Sequence, residues 1–168
     1  MNQHIQSWIS QLQLQPHPEG GYYKEVIKGT TNNAKQRAQY SSIYFLLTHD
    51  NISHFHRIDA DEIWYYHGGD SLMIHMIHPD GRYEQVSLGK NIEAGDVLQY
   101  VVPKGTIFAS SVEGQNDYAL VGCMCQPAFE FEHFELLSQS WLNEQYPNLE
   151  DINMRYALSS EAIEVNKF

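Results

Sequence analysis

Cysteine and basic residues are both scarce in this sequence. The only two cysteines in 168 residues are Cys123 and Cys125. Two positions apart on a strand, they would point the same way and stay reduced, so no disulfide framework is expected. A single Cys pair also lacks the second pair of a structural zinc site. Lysine and arginine total 10 against 21 Asp and Glu, giving a formal net charge of −11. So acidic a chain is expected to bind neither nucleic acid nor an anionic membrane surface, because both partners need basic patches. No apolar run nears the roughly 18–20 residues of a membrane span. Met1-Asn2-Gln3-His4 lacks the basic start and apolar stretch of a secretory signal. No Gly-Lys-Ser/Thr phosphate loop, Ser-His-Asp order or nucleophile elbow is visible. A cytoplasmic protein without disulfides is the resulting expectation.

What is present is enough apolar material for a core: 42% hydrophobic, 12% aromatic and only 18% charged residues. The length suits one domain over residues 1–168. Ile5, Trp8, Ile9 and Leu12 follow helical spacing, which predicts an amphipathic helix over 2–13. Pro16 and Pro18 end it, and Gly20-Gly21 makes a turn into a first strand at Tyr22–Ile27. A polar loop follows over 28–37. Short runs rich in Ile, Val, Tyr and Phe then recur at 40–48, 52–57, 61–67, 71–78, 83–88, 96–102, 106–111 and 117–125. Pro79-Asp80-Gly81 between two of them is a hairpin signal. Strands at roughly ten-residue spacing predict a mainly β sandwich or barrel, with its core at about 22–127. A helical tail over 136–160 follows, with Ser138 or Ser140 as a cap, Pro147 as a stop and a last turn over 159–168.

Ser53-His54-Phe55-His56-Arg57-Ile58-Asp59-Ala60-Asp61-Glu62 carries the most chemistry. On a regular strand His54 and His56 project to one face. Glu62 opens the next antiparallel strand and can come beside them. Two imidazoles and a carboxylate suit a divalent transition metal. They equally suit general acid–base catalysis, in which Glu62 would raise a histidine pKa. The bland alternative is a solvent-facing or hydrogen-bonded His pair.

At these residues the chain resembles the cupin superfamily. His54, His56, Glu62 and Gly69 match the first cupin motif, with the His–Glu gap one residue longer than usual. Gly95, Pro103 and Gly105 match the second motif, but Phe108 stands where that motif has its final histidine. A closer resemblance, to the uncharacterised cupin subfamily called domain of unknown function 985, rests on several blocks. These are His17-Pro18-Glu19-Gly20-Gly21-Tyr22-Tyr23, Ser42 to Leu47, the His54-to-Gly69 block and Pro127-Ala128-Phe129-Glu130-Phe131. The resemblance implies a double-stranded β-helix (jelly-roll) barrel with short N- and C-terminal helices. It also implies a homodimer, and exposed aromatic-rich strand edges would favour one.

The resemblance names no reaction. Metal-binding cupins offer three His and one Glu, whereas the motif here leaves His54, His56 and Glu62 with an apolar ring at Phe108. One divalent transition metal on those three residues is therefore one reading, and no metal is the preferred one. Metal-independent cupin epimerases imply a His with a Tyr partner, for which Tyr44, Tyr66 and Tyr100 are candidates. If Glu62 points inward, Trp64 and Tyr66 share its face and can stack on a sugar or base. Gln99 and the Glu19-to-Tyr22 turn complete the candidate ligand contacts. Cys123 and Cys125 could line the barrel, although ordinary buried thiols are the simpler reading. His75 and His78, at odd spacing, point to opposite faces.

Three functions compete. The first is a metal-independent isomerase or epimerase of a sugar or sugar nucleotide, using His54, His56 and Glu62. The second is a metal-dependent oxygenase or isomerase on the same residues. The third is a barrel that binds a sugar-like or nucleotide-like ligand without turnover.

Overall fold

The structure, a computed structural model, describes residues 2–166. Met1, Lys167 and Phe168 lie outside the described residues, so the last turn expected over 159–168 is followed only to Asn166.

Helix α1 spans Gln3–Leu12. The Asn2 side chain accepts the His4 N–H at 2.9 Å, satisfying one of the free donors of the first turn. Its apolar stripe buries Ile5 and packs Trp8, Ile9 and Leu12 with Leu46 and Leu120 on the outer face of a β-sheet.

That sheet has six strands: β1 (Gln15–Pro16), β2 (Tyr22–Lys28), β3 (Ser41–Thr48), β10 (Tyr118–Gln126), β5 (Asp61–Gly69) and β8 (Gln99–Val102), in that order. The second sheet runs β11 (Phe134–Leu136), β4 (Ser53–Ile58), β9 (Ile107–Val112), β6 (Leu72–Ile77) and β7 (Tyr83–Leu88). Every ladder is antiparallel. The chain alternates between sheets, and the two close into a jelly-roll barrel. The expected strands all form, and their ends move by at most three residues. β1 and β11 were not expected, because two or three residues carry no readable alternation.

Alternation divides the side chains. Phe45, Leu47, Trp64, Ile74, Met76, Phe108 and Val121 fill the barrel, and each such residue contributes about 1.5–3 kcal/mol by burial. Their strand neighbours face outward. On the second sheet, Phe55, Ile77, Ile107 and Ala109 form a patch that is covered by the tail. The tail is α2 (Gln139–Gln145), α3 (Glu150–Tyr156) and α4 (Ser160–Val165). Ser138 Oγ accepts the Trp141 N–H at 3.2 Å and caps α2, as the sequence suggested. Among the described residues, no helix is long and apolar enough to cross a membrane.

Candidate active site

A cavity of about 590 Å3 lies within the barrel. Its polar wall is built from three places in the chain. The first is the turn between β1 and β2. His17 N–H donates to Gly21 O at 2.9 Å, and Gly20 N–H donates to His17 O at 3.0 Å. Gly20 and Gly21 sit at φ 110° and 77°, a region that side-chain-bearing residues avoid. A Cβ on Gly20 would also run into Ile52 O. The turn is therefore specific to glycine, and it tucks His17 and Glu19 into the barrel, 9% and 6% exposed.

The second place is β4. His56 pairs with Phe108, and Ser53 pairs with Ser110, but the register slips between them. This bulge breaks the alternation that would have put His54 and His56 on one face. His56 lines the cavity, 3% exposed, whereas His54 lines a separate surface depression with Pro16, Pro18, Gly21 and Leu158. The third place is the pair β5 and β10, where Glu62 lies opposite Cys125. Glu62, Cys123 and Cys125 all line the cavity.

The hydrogen bonds assign the protons. His54 O accepts from His56 Nδ1–H at 2.7 Å, so the lone pair of a neutral His56 is on Nε2. That Nε2 lies 3.1 Å from Glu19 Oε2. The other Glu19 oxygen accepts from Ser53 Oγ–H at 2.9 Å. Burial, then the neighbouring Glu62, push the Glu19 pKa well above its usual range. Burial lowers the His56 pKa to about 4. Burial therefore favours the neutral pair, in which Glu19 Oε2 holds the proton and His56 Nε2 accepts it.

Glu62 accepts from Trp64 Nε1–H at 3.1 Å and faces Cys125 Sγ at 3.5 Å. Burial raises its pKa to about 7. The expectation that Glu62 would raise a histidine pKa is thus reversed. Desolvation outweighs the opposing hydrogen bonds here, so both His54 and His56 shift down while the carboxyl itself shifts up.

The other sequence candidates fall in different places. Trp64 is a core residue that holds Glu62. The Phe108 ring packs at a tilt 4.1 Å from the His56 ring, the apolar neighbour that its motif position implied. Tyr66 packs against the barrel core and donates its OH to Gly69 O at 2.8 Å. Tyr44 and Tyr22 pack on the outer face beside α1. Tyr100, like Tyr66, packs against the barrel core, and its OH donates to Glu84 Oε1 at 3.2 Å. Gln99 is exposed on the edge strand. None of these four tyrosines lines the cavity; the tyrosine that does is Tyr23, which no motif singles out as a site residue. His17 was also passed over as a site residue, although its Pro-rich, Gly-terminated setting signals a fixed turn.

A metal held by His54, His56 and Glu62 does not fit this arrangement. Among the described residues, the one set of three or more possible ligands whose atoms all lie within 4.8 Å of one another is Glu130, Glu132 and His133. Glu132 and His133 are exposed, and groups of that kind are common without an ion.

The barrel, its Gly-fixed turn and its inward His and Glu fit a family model spanning residues 6–137, described as cupin superfamily, DUF985. The chain is a member of that cupin family. This cupin is 30% identical to an uncharacterised protein of Saccharomyces cerevisiae, covering 79% of this chain and 75% of that one. A solved structure from Shewanella oneidensis is 42% identical, with a TM-score of 0.87 over 92% of this chain and 97% of that one. A hypothetical protein from Leishmania major is 41% identical, with a TM-score of 0.86 over 92% and 98%. Oxalate decarboxylase of Bacillus subtilis is 18% identical with a TM-score of 0.56, and shares the fold alone. This cupin matches 38% of that longer chain.

Proposed function

We propose that this cupin is a metal-independent isomerase or epimerase that moves a proton next to the carbonyl of a small, sugar-like molecule. The observation that carries the reading is the Glu19 Oε2–His56 Nε2 contact of 3.1 Å, whose single proton faces a cavity large enough for such a ligand. Burial favours the neutral pair at pH 7, with Glu19 as the acid and His56 Nε2 as the base. Glu62, with its pKa near 7, is a second proton carrier in the same cavity. One group can remove a proton while the other returns one.

The test is deuterium uptake from heavy water into the C–H bonds of neutral and phosphorylated sugars, followed by NMR. Uptake in the native protein that is lost on His56→Gln supports the reading, and no uptake from any sugar sinks it. Metal analysis of protein purified without chelator separates the alternative. Exchange that survives chelation is expected. About one metal ion per chain, lost together with exchange on His56→Ala, would replace this reading with the metal-dependent one.

A homodimer belongs to the same proposal. Beyond the part that β1 covers, the edge of β2 leaves Val26 and Ile27 45% and 54% exposed. Gel filtration near twice 19.4 kDa is expected, and a monomer mass would overturn it.

A further inference from the structure

His17 is nine-tenths buried and lines the cavity, and its Nδ1 stands 3.5 Å from Glu19 Oε2, the oxygen that also meets His56. Its Nδ1 accepts the Glu19 backbone N–H at 3.2 Å, so the proton of the neutral ring is on Nε2. Among the described residues, that Nε2–H has no hydrogen-bond acceptor. A donor left free on a residue of the cavity wall is a place for a ligand acceptor. Burial, then the neighbouring His56, lower the His17 pKa to about 3, which keeps the ring a neutral donor at pH 7.

The surroundings of His17 restrict what that acceptor belongs to. The rings of Tyr23, Phe129 and Phe131 stand 4.7, 6.0 and 5.7 Å from it. They offer apolar faces to the C–H face of a sugar. The charges lining the cavity are mostly acidic. Glu25, Glu130 and Glu132 outnumber Lys24 and Lys28, while burial shifts the deeper Glu19 and Glu62 towards their neutral forms. Lys24 Nζ is already shared with Gln13 Oε1 at 3.3 Å. Arg37, the nearby guanidinium, is spent on a two-pronged bond to Asp59 at 2.8 and 2.7 Å. Among the described residues no guanidinium fork for a phosphate lines the cavity, and its carboxylates outnumber its two lysines, which disfavours a phosphate.

We infer that the ligand is an uncharged carbonyl compound, an unphosphorylated sugar rather than a sugar nucleotide, and that His17 is a catalytic residue donating Nε2–H to its carbonyl oxygen. This rests on the proton-transfer reading above. In the step, the C–H bond beside the carbonyl breaks and its proton passes to the Glu19–His56 pair. The bonding electrons form a C=C bond, and the carbonyl electrons move onto oxygen as an enolate. His17 stabilises that oxygen. Return of a proton, from the same pair or from Glu62, restores the carbonyl. No oxidant or reductant is consumed.

The experiment uses neutral ketoses and aldoses beside their phosphate esters, with native protein, His17→Gln and His17→Phe. Saturation-transfer NMR reads binding, and deuterium uptake reads turnover. Neutral sugars should bind at least about tenfold more tightly than their esters, since bringing like charges together weakens binding. His17→Phe should lose about 10²–10³-fold in exchange, the usual effect of removing one oxyanion donor. His17→Gln, which keeps an N–H, should retain more than His17→Phe. Preference for the esters overturns the ligand class and leaves proton transfer standing. Full exchange in His17→Phe overturns the role of His17. Binding of neutral sugars without exchange in native protein upholds the ligand class and sinks the proton-transfer reading. No binding by any member of the panel overturns the inference.

Discussion

Two clusters in this barrel bury histidine, and they differ in what their ring nitrogens meet. Under the tail, His75 Nδ1 lies 2.8 Å from Tyr83 OH and Nε2 lies 2.9 Å from Ser111 Oγ. Its ring stacks on Tyr156 at 3.9 Å. Both nitrogens are paired and the residue is fully buried. In the cavity, His17 pairs only one nitrogen, and His56 shares one proton with a carboxyl of raised pKa. The first arrangement is closed and serves to hold helices on a sheet. The second leaves a donor and a mobile proton facing space, which is what chemistry on a ligand requires. Burial alone does not tell them apart, because it lowers the pKa of both His75 and His56 to about 4.

The sharpest way to break this contrast is Glu19→Gln. The amide keeps the shape but carries no transferable proton. Deuterium exchange is expected to fall by about 10²–10⁴-fold, with the melting temperature little changed. An equal loss of exchange in His75→Gln would erase the distinction between the clusters.

Acid sharpens the contrast from the other side. In the folded protein the His75 pKa is about 4, against an ordinary 6.5. Between these values the unfolded chain binds a proton that the folded chain does not. Stability therefore falls as pH drops from 6.5 to 4, by about 3 kcal/mol from this residue. Glu62 works with the opposite sign. Its folded pKa near 7 means that the folded chain holds a proton the unfolded one has released, so its contribution falls as pH rises from 4.5 to 7. Urea unfolding of native protein and His75→Gln at pH 7, 5.5 and 4 isolates the His75 part. Parallel pH profiles for the two proteins would refute it.

The smallest expected effect is at the α2 cap. Ser138→Ala should cost about 1 kcal/mol in urea unfolding, because the Trp141 N–H loses its acceptor. Exchange should not change, since the tail covers the closed cluster and not the cavity. A parallel loss of exchange would show that the two regions are coupled.

Much of this protein was legible in its sequence. The strand runs, their turn residues, the stripe of α1 and the Ser138 cap are local patterns, and local patterns set elements. Glu19, His56 and Glu62 were visible as site residues because an HxH pair, a spaced Glu and a Gly-Gly turn are short-range signals. The same signals misled where their meaning depended on parity. Tyr44 and Gln99 carry suitable groups, but their strands turn them outward or to an edge.

The chain's composition and spacing determined its acidic, disulfide-free β-barrel and the residue types that reach its interior. Tertiary structure alone decided which of those residues meet. The bulge between Ser53 and His56 separates His54 from its neighbour, and the turn at Gly20-Gly21 delivers Glu19 to His56 across 37 positions of sequence. The physical reason is that pattern fixes the period of a strand, while a single extra residue inverts its faces. Proton sharing between Glu19 and His56 follows from desolvation at their meeting point, and no stretch of sequence carries that quantity on its own.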